Sequence, residues 1–242
     1  MAGEPGDIAA SANPAAASRK ELLLRAVSGV FMAAAAIFAL WMGGVAFAVF
    51  WIAAGVLIFW EWVKIVWSSP HRVFWIVVGI FYAAVSALAP IVLRLSHDFG
   101  LNAILFLFAV VWTTDIAGYV VGRLVGGPKL WPAVSPKKTW SGAIGGLIGA
   151  VLFGSAVVHF SGIPVGFIAV LAAILSIAAQ GGDLAESSIK RQFGVKDASH
   201  IIPGHGGVMD RLDGFIFAAF AAACFGLLRG GFNGAGKALL IW

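Results

Sequence analysis

The fold of this chain is decided by a stretch near its N-terminus, residues 26–60, which reads AVSGVFMAAAAIFALWMGGVAFAVFWIAAGVLIFW. No charged residue occurs in it. Apolar runs of about 20 residues are long enough to cross a bilayer as a helix, and this run is too long for one crossing. Gly43 and Gly44 lie at its middle, where glycine weakens a helix. The stretch therefore predicts two spanning helices that separate at these glycines.

The composition of the whole chain is typical of a membrane protein. Of the 242 residues, 61% are hydrophobic and 11% are charged, whereas soluble domains have about 45–50% apolar and about 25% charged residues. Further apolar runs occur at residues 73–93, 101–121, 142–160, 165–179 and 214–228. We therefore predict an all-α integral membrane protein with about seven transmembrane helices. Its one cysteine, Cys224, excludes an intrachain disulfide.

The lysines and arginines predict the orientation of these helices, because cytosolic loops are enriched in them. With a cytosolic N-terminus, thirteen of the 16 lie inside: Arg19, Lys20, Arg25, Lys64, Arg72, Arg123, Lys129, Lys137, Lys138, Lys190, Arg191, Lys196 and Arg211. Arg94, Arg229 and Lys237 then lie outside. We expect the N-terminus inside and the C-terminus outside. The positive cytosolic face suits anionic headgroups or a phosphorylated substrate, or serves only to set the topology.

Four regions follow one another along the chain. Residues 1–21, rich in Ala, Gly, Ser and Pro, are predicted to be a disordered cytosolic tail. Residues 22–100 form an N-terminal membrane region of three spans. Residues 101–228 form a second membrane region of four spans and two cytosolic loops, which carries the candidate chemistry. Residues 229–242 are predicted to be a short C-terminal tail.

The acidic residues are concentrated near one membrane face. Five of the eleven fall in one predicted cytosolic loop, residues 180–213: Asp183, Glu186, Asp197, Asp210 and Asp213. Asp115 lies near the cytosolic end of the fourth span. Ionisable groups at the edge of hydrocarbon are costly and indicate function. We therefore expect a polar active site at the cytosolic face.

The loop after the fourth span, residues 118–142, reads GYVVGRLVGGPKLWPAVSPKKTWSG, and its glycines and prolines indicate turns. Lys137 and Lys138 suit either a topology anchor or phosphate binding. Glycines open the fifth span and favour close helix packing, within the chain or between two copies: Gly142, Gly145, Gly146 and Gly149. A homodimer is therefore one expectation.

The most polar stretch, residues 202–214, reads IPGHGGVMDRLDG. Gly204, Gly206 and Gly207 permit turns whose backbone amides can bind an anion. Asp210 and Asp213 are three residues apart and lie on one side of the helix that follows. Carboxylates bind Mg²⁺, and beside basic loops they suit a metal-bound polyphosphate. The Lys-Ser/Thr ending of a P-loop is missing, so the pattern indicates phosphoryl or nucleotidyl transfer of another kind.

Residues 187–214, SSIKRQFGVKDASHIIPGHGGVMDRLDG, resemble the signature of the phosphatidate cytidylyltransferase family. Three upstream pieces agree with it: DIAGY from residue 115, SPKKTW from residue 135 and GDLAES from residue 182. The resemblance covers residues 112–228, and the first three spans match only as generic membrane helices. It implies an enzyme that transfers the cytidylyl group of CTP to phosphatidic acid, giving CDP-diacylglycerol and pyrophosphate for phospholipid biosynthesis, with Mg²⁺ as cofactor.

The resemblance also implies roles for individual residues. Candidate catalytic residues are Asp183, Asp210, Asp213, Lys190, Arg191 and Arg211. Candidate substrate-binding residues are Ser135, Lys137, Lys138, Thr139, Ser187, Lys196, Gly204, His205, Gly206 and Gly207. Candidate metal ligands are Asp183, Asp210 and Asp213, supported by Asp115, Glu186 and Asp197. The number of metal ions stays open, and a second cation beside Mg²⁺ is one option.

One position of this chain departs from the family pattern. The family commonly has an acid after the Trp of SPKKTW, where this chain has Ser141. Any task of that acid must fall to another group or be dispensable.

The resemblance also implies partners and a location. The expected partners are CTP, phosphatidic acid and the lipid bilayer, with no nucleic acid. The expected location is the cytoplasmic (inner) membrane of a bacterium, with the active site on the cytosolic face.

Three alternatives make different predictions. A CDP-alcohol phosphatidyltransferase is excluded, because its motif continues with a second Asp pair and no acid follows Asp213 here. A CTP-dependent polyprenol or phytol kinase would transfer the γ-phosphoryl group to a lipid alcohol and release CDP. A cation-coupled transporter would place ionisable residues deep within its spans, whereas most of the acids here lie towards one membrane face.

Overall fold

The computed structural model describes the backbone of residues 14–242 and the side chains of residues 23–242. Seven helices in this part of the chain are long and apolar enough to cross a membrane, which confirms the predicted all-α class. The elements are α1 (Pro14–Met42), α2 (Gly44–Val66), α3 (Arg72–Arg94), α4 (Gly100–Val125), β1 (Lys129–Trp131), β2 (Ser135–Thr139), α5 (Trp140–Phe160), α6 (Ile168–Gln192) and α7 (Met209–Leu240). Of the predicted disordered tail, residues 1–13 lie outside the described residues. Residues 14–21 of that predicted tail are helical and belong to α1.

The break predicted at Gly43 and Gly44 separates α1 from α2. Gly43 has a φ of 62°, in the left-handed region that favours glycine. A Cβ atom at Gly43 would lie 2.6 Å from Nη2 of Arg94, so the end of the Arg94 side chain packs over this position. The two spans predicted from residues 26–60 are therefore confirmed.

The sixth and seventh helices are longer than the apolar runs that predicted them. α6 continues past residue 179 to Gln192, and α7 begins at Met209 instead of residue 214. The acids expected in one loop at residues 180–213 therefore lie on helix ends, except for Asp197. The apolar runs are shorter than the helices because the last turns of α6 and the first turns of α7 carry charged side chains. These side chains pair with one another inside the protein instead of facing lipid.

The predicted C-terminal tail, residues 229–242, is helical as far as Leu240. α7 folds back at Gly231, whose φ of 62° and ψ of −171° interrupt the helix. The returning segment packs at the end of the bundle opposite the 193–208 loop, where a Cβ atom at Gly236 would lie 2.6 Å from the Leu93 carbonyl oxygen. Leu239 and Leu240 are buried there, and this apolar burial fixes the segment against the bundle.

A two-stranded antiparallel hairpin lies between α4 and α5, in a segment whose sequence predicted only turns. Its register places Lys129 of β1 opposite Thr139 of β2. Thr139 also caps α5, because its Oγ1 atom accepts a hydrogen bond from the Gly142 amide at 3.1 Å. The hairpin therefore holds Lys137 and Lys138 on a strand that is fixed to the start of α5.

Glycines let α5 pack closely on α4. A Cβ atom at Gly142 would lie 2.7 Å from the Gly118 carbonyl oxygen, and one at Gly146 would lie 2.7 Å from that of Thr114. Small residues at such crossings allow two spanning helices to approach. The predicted packing role of these glycines is confirmed within one chain. The homodimer stays a prediction, and these glycines give it no support.

Helices from both predicted membrane regions share one apolar core. Trp51 of α2 stacks on Phe215 of α7 with ring centroids 4.8 Å apart, and both side chains are buried. Phe108 of α4 lies 5.5 Å from the Phe215 ring. The N-terminal spans therefore support the start of α7, where the candidate site lies.

Candidate active site

The candidate site is built on the adjoining ends of α6 and α7, where three buried charges meet. The Nζ atom of Lys190 lies 2.9 Å from Oε1 of Glu186 and 2.6 Å from Oδ1 of Asp210. All three side chains are more than nine-tenths hidden from solvent. Glu186 and Lys190 are one helical turn apart, a spacing at which side chains meet. An ammonium group between two carboxylates receives the charge and hydrogen-bond partners that a buried ion requires.

Asp210 also organises the glycine-rich loop before α7. Its Oδ2 atom accepts hydrogen bonds from the backbone amides of Ala198 at 2.9 Å and Gly207 at 2.8 Å. Its Oδ1 atom accepts a hydrogen bond from Lys190. Both carboxylate oxygens therefore have fixed donors, which tie the loop to α6 and α7 at one point.

Glu61 of α2, which was not among the predicted site residues, holds the first turn of α7. Its Oε2 atom accepts a hydrogen bond from the Met209 amide at 2.7 Å, and its Oε1 atom accepts from the Val208 amide at 2.9 Å and the Ser199 hydroxyl at 2.6 Å. Amides at a helix start lack partners within the helix, so a carboxylate there satisfies them and balances the helix dipole. Glu61 is fully buried, and a Cβ atom at Gly207 would lie only 2.6 Å from its Oε1 atom.

The sequence contains one signal for this contact. Glu61 is an acid within a spanning helix whose only other charged residue is Lys64. Ionisable groups inside spans indicate function. The amides that Glu61 meets depend on how α2 packs against α7, and no local sequence pattern contains that information.

A cavity of about 770 Å³, here called the large cavity, opens beside this network among α4, the hairpin, α5, α6 and α7. Most of the predicted site residues line it: Asp115, Lys137, Lys138, Thr139, Asp183, Ser187, Lys190, Asp197, Asp210, Arg211 and Asp213. Arg123, Lys129 and Gln180, which were not among the predicted site residues, also line it. Acids from the helices and cations from the hairpin thus border one space.

The acids of the large cavity differ in how they are held. Asp183 pairs with Lys138 of the hairpin and accepts a hydrogen bond from the Ser187 hydroxyl at 3.4 Å. Asp213 accepts a hydrogen bond from the Gly214 amide at 2.7 Å. Within residues 23–242, no Lys or Arg side chain pairs with Asp213. The Asp213 carboxylate can therefore still bind a ligand in the cavity.

The predicted metal ligands border one space without forming a complete cage. Across the side chains that the structure describes, no group of three or more His, Cys, Asp or Glu residues is placed to hold a metal ion. Asp210 has both oxygens occupied, and Glu186 belongs to the buried ion pair. Asp115, Asp183 and Asp213 remain at the cavity wall. Because Mg²⁺ usually binds one or two carboxylates and completes its shell with water and phosphate oxygens, this donor set fits Mg²⁺ that arrives with a nucleotide.

A second cavity of about 420 Å³, here called the small cavity, adjoins α1 beside the glycine-rich turn. Lys196, Gly204, His205 and Gly206 line it and not the large cavity, whereas Asp197 and Arg211 line both. The His205 ring faces α1, with Nδ1 lying 2.6 Å from Oγ of Ser28. Burial lowers the pKa of His205, and the positive charges of Arg211 and Arg25 lower it further, so the ring is mainly neutral at pH 7.

The remaining predicted site residues line neither cavity: Ser135, Glu186, Arg191 and Gly207. Glu186 and Gly207 act through the Asp210 network instead. The guanidinium of Arg191 is exposed at the end of α6 and lies 3.5 Å from the Val195 carbonyl oxygen. These positions are suited to support the site and not to contact a substrate in the cavities.

Ser141, which stands where the family pattern has an acid, has a structural contact. Its hydroxyl donates a hydrogen bond to the Gly126 carbonyl oxygen, and its Oγ atom lies 3.0 Å from Oγ1 of Thr139. Ser141 therefore connects the two ends of the α4–α5 connection, and it does not line either cavity.

Comparison with known proteins agrees with the resemblance seen in the sequence. Residues 67–228 match the model of the cytidylyltransferase family. A protein of Brucella suis biovar 1 (strain 1330), named phosphatidate cytidylyltransferase, is 40% identical over 255 aligned residues, which cover 86% of this chain and 94% of the relative. A protein of Staphylococcus saprophyticus subsp. saprophyticus with the same name is 48% identical over 120 residues, which cover 49% of this chain and 46% of the relative. The region matched by the family model contains every residue that lines the large cavity.

Proposed function

This chain belongs to the cytidylyltransferase family, and we propose that its large cavity carries out the reaction for which its relatives are named. The enzyme transfers the cytidylyl group of CTP to phosphatidic acid, giving CDP-diacylglycerol and pyrophosphate. The main support for this location of the reaction is the lining of the large cavity. It brings carboxylates from α4, α6 and α7 to face lysines of the hairpin at one end of a membrane-spanning bundle.

The reaction breaks one phosphoanhydride bond and forms another. An oxygen of the lipid phosphate attacks the α-phosphorus of CTP. The bond from that phosphorus to the oxygen bridging the β-phosphorus breaks, and pyrophosphate leaves with the electron pair. Because the nucleophile is already an anion, it needs no strong general base. Catalysis therefore depends on bringing two anions together and neutralising their charge.

The hairpin and the end of α4 supply the cations for the triphosphate. Lys129 of β1 and Lys137 and Lys138 of β2 line the cavity together with Arg123 of α4. The Thr139 cap fixes the hairpin to α5, so these cations approach the nucleotide from a held strand. We assign them to the β- and γ-phosphates, which depart together as pyrophosphate.

Asp213 and Asp183 are the proposed Mg²⁺ ligands, with Asp115 beside them. Mg²⁺, when bound, supplies positive charge to the phosphate oxygens and orients the triphosphate. Asp183 would exchange part of its pairing with Lys138 for this role, which frees that lysine for a phosphate. Asp210 has a different function in this proposal: it holds Lys190 and the glycine-rich loop in place.

We place the reaction at the cytosolic face of a bacterial cytoplasmic membrane. Both cavities lie at the end of the bundle formed by the α4–α5 and α6–α7 connections, where most of the lysines and arginines lie. Enrichment of these residues marks the cytosolic side. The relatives with the same reaction in their names are bacterial.

The proposal is tested with the purified protein in mixed micelles that contain Mg²⁺, phosphatidic acid and CTP labelled at the α-phosphate. We expect label in an organic-extractable lipid, with an equal release of pyrophosphate. Label that stays in aqueous CDP, with phosphatidic acid replaceable by a lipid alcohol, would identify a lipid-alcohol kinase. No consumption of CTP with either acceptor, in protein shown to be folded, would contradict both activities and favour a transporter.

A further inference from the structure

The structure divides the basic residues near the site between two cavities. In the proposed function, the large cavity holds the triphosphate. The small cavity is lined by three cationic side chains, two imidazoles and one acid: Arg25, Lys196, Arg211, His200, His205 and Asp197. The lining of the small cavity is therefore positive overall.

The turn beside the small cavity has a fixed shape. The Ile202 amide donates a hydrogen bond to the Gly206 carbonyl oxygen at 2.9 Å, and the Gly206 amide donates to the Ile202 carbonyl oxygen at 3.2 Å. Gly204 and Gly206 have φ values of 76° and 86°, which favour glycine. On the α1 side, the Ser28 hydroxyl lies 3.0 Å from the Pro203 carbonyl oxygen and can donate to it. α1 therefore packs against this turn and closes one side of the cavity.

A thin wall separates the small cavity from the large one. Arg211 and Asp197 line both cavities. A Cβ atom at Gly206, which lines the small cavity, would lie 2.9 Å from Oδ2 of Asp210, which lines the large one. Arg211 is therefore placed to contact an anion on either side of the wall.

The balance of charge differs between the two cavities. Four acids line the large cavity besides the shared Asp197: Asp115, Asp183, Asp210 and Asp213. In the small cavity, Asp197 is the only acid among the lining residues that the structure describes. A metal-bound triphosphate needs carboxylates for its metal, whereas a phosphate monoester is bound by cations alone. The large cavity therefore suits the nucleotide, and the small cavity suits a phosphate monoester.

The α1 helix gives the small cavity an apolar flank that is open to lipid. Of the apolar segment of α1, 11% is buried, against 28–39% in the other six spanning helices. Val27 and Phe31 have 65% and 73% of their surface exposed, and helical spacing places them on the side of α1 that faces away from Arg25 and Ser28. Acyl chains can pack against this lipid-facing side of α1 while a headgroup occupies the small cavity on its other side.

We propose that the small cavity binds the phosphate monoester of the diacyl lipid substrate through Lys196 and Arg25, and that Arg211 bridges this phosphate and the nucleotide. This inference rests on the proposed function, because a second anion site beside the first is needed when two phosphorylated substrates react. The hairpin side then recognises CTP, and the side formed by α1 and the α6–α7 loop recognises phosphatidic acid.

The experiment measures KM for both substrates in three variants, with the water-soluble dioctanoyl phosphatidic acid as lipid. Lys196→Gln is expected to raise KM for the lipid roughly tenfold, because it removes one charged hydrogen bond to phosphate. KM for CTP stays within about twofold. Lys129→Gln, in the large cavity, is expected to show the reverse pattern. Lys64→Gln is the matched control, since Lys64 is exposed at the same membrane face and lines neither cavity, and it should change neither KM.

The outcomes separate this inference from the proposed function. Wild-type protein that makes no labelled lipid would contradict the proposed function itself. With active wild type, a Lys196→Gln variant that raises KM for CTP alone, or neither KM, would overturn the lipid assignment. A raised KM for the lipid with an unchanged KM for CTP supports it, and the turnover of the variant shows that it is folded.

Two other sources of phosphate are tested with the same variant. If the small cavity held free pyrophosphate, Lys196→Gln would weaken product inhibition by pyrophosphate and leave KM for the lipid unchanged. If it held a non-substrate anionic lipid, the variant would lose only the activation caused by added phosphatidylglycerol. Either result would overturn the substrate assignment.

Discussion

The two ends of α7 carry ion pairs of opposite character. At its start, Asp210 pairs with Lys190 at 2.6 Å inside the protein, and backbone amides complete its hydrogen bonds. Beyond the bend at Gly231, Lys237 pairs with Asp98 at 3.1 Å, with more than half of each side chain exposed. One helix therefore contains a charge network shielded from water and a pair that remains solvated.

The difference between the buried pair and the exposed pair shows at which end of α7 the side chains must keep one fixed arrangement. A buried charge has lost its hydration and is stable only when fixed donors or acceptors replace the water. An exposed pair contributes about 0–1 kcal/mol, because water and salt screen it. We therefore expect substitutions at the start of α7 to change activity or stability strongly and substitutions at its far end to change little.

The largest effect is expected from Asp213→Asn. The substitution removes a carboxylate that pairs with no Lys or Arg among the described side chains and is a proposed Mg²⁺ ligand, so kcat/KM is expected to fall roughly 100-fold or more. The melting temperature should stay close to that of the wild type, because the Gly214 amide can still donate to the Asn oxygen. The α-labelled CTP assay at several Mg²⁺ concentrations and thermal unfolding in detergent measure the two quantities. Near-normal turnover would exclude Asp213 as a metal ligand.

Lys190→Met tests the buried side of the comparison. The substitution leaves Glu186 and Asp210 buried without their cation, which is expected to destabilise the protein by about 3–5 kcal/mol. Unfolding in detergent, followed by tryptophan fluorescence, measures the loss. Lys64→Met is the control for removal of a cation from an exposed position. Adding Glu186→Gln should restore part of the stability, and a double variant no better than the single one would show that unpaired charge is not the cause.

Glu61→Gln tests the contact between α2 and α7. The amide group of Gln presents N–H donors to backbone N–H groups that need an acceptor, so we expect a loss of about 1–3 kcal/mol. The start of α7 carries Asp210 and Asp213, so kcat should fall more than KM for CTP rises. Steady-state kinetics and the melting temperature check both effects. If stability falls while kcat is unchanged, Glu61 stabilises the fold without positioning the site.

The fold class and the family were predictable because their signals are local. Length and apolarity of residues 26–60 predicted two spans, and the glycine pair marked the break between them. The spacing of the Lys, Asp and Gly residues in 187–214 indicated the family. Each signal is read from residues close together in sequence, and none depends on how the helices pack.

The features that were missed depend on contacts between distant segments. Glu61 accepts hydrogen bonds because α2 packs beside the start of α7. Met209, whose amide it meets, lies 148 residues away in sequence. The apolar run that predicted the sixth span stopped at residue 179, short of the end of α6, because it could not show that Glu186 and Lys190 neutralise each other inside the protein. The division of the basic residues between two cavities follows from the fold of the turn at residues 202–206 and its contact with α1. Sequence spacing alone does not contain these arrangements.

The smallest effect is expected from Lys237→Gln at the far end of α7. The substitution removes an exposed ion pair, so stability should change by less than about 1 kcal/mol, and added salt should reduce even that difference. Activity should equal that of the wild type, because Leu239 and Leu240 still bury the returning helix. Thermal unfolding at low and high salt and the CTP assay measure these quantities. A severalfold loss of activity would show that strain at the outer end is transmitted along α7 to Asp210, and the two ends would then have to be treated as one coupled unit.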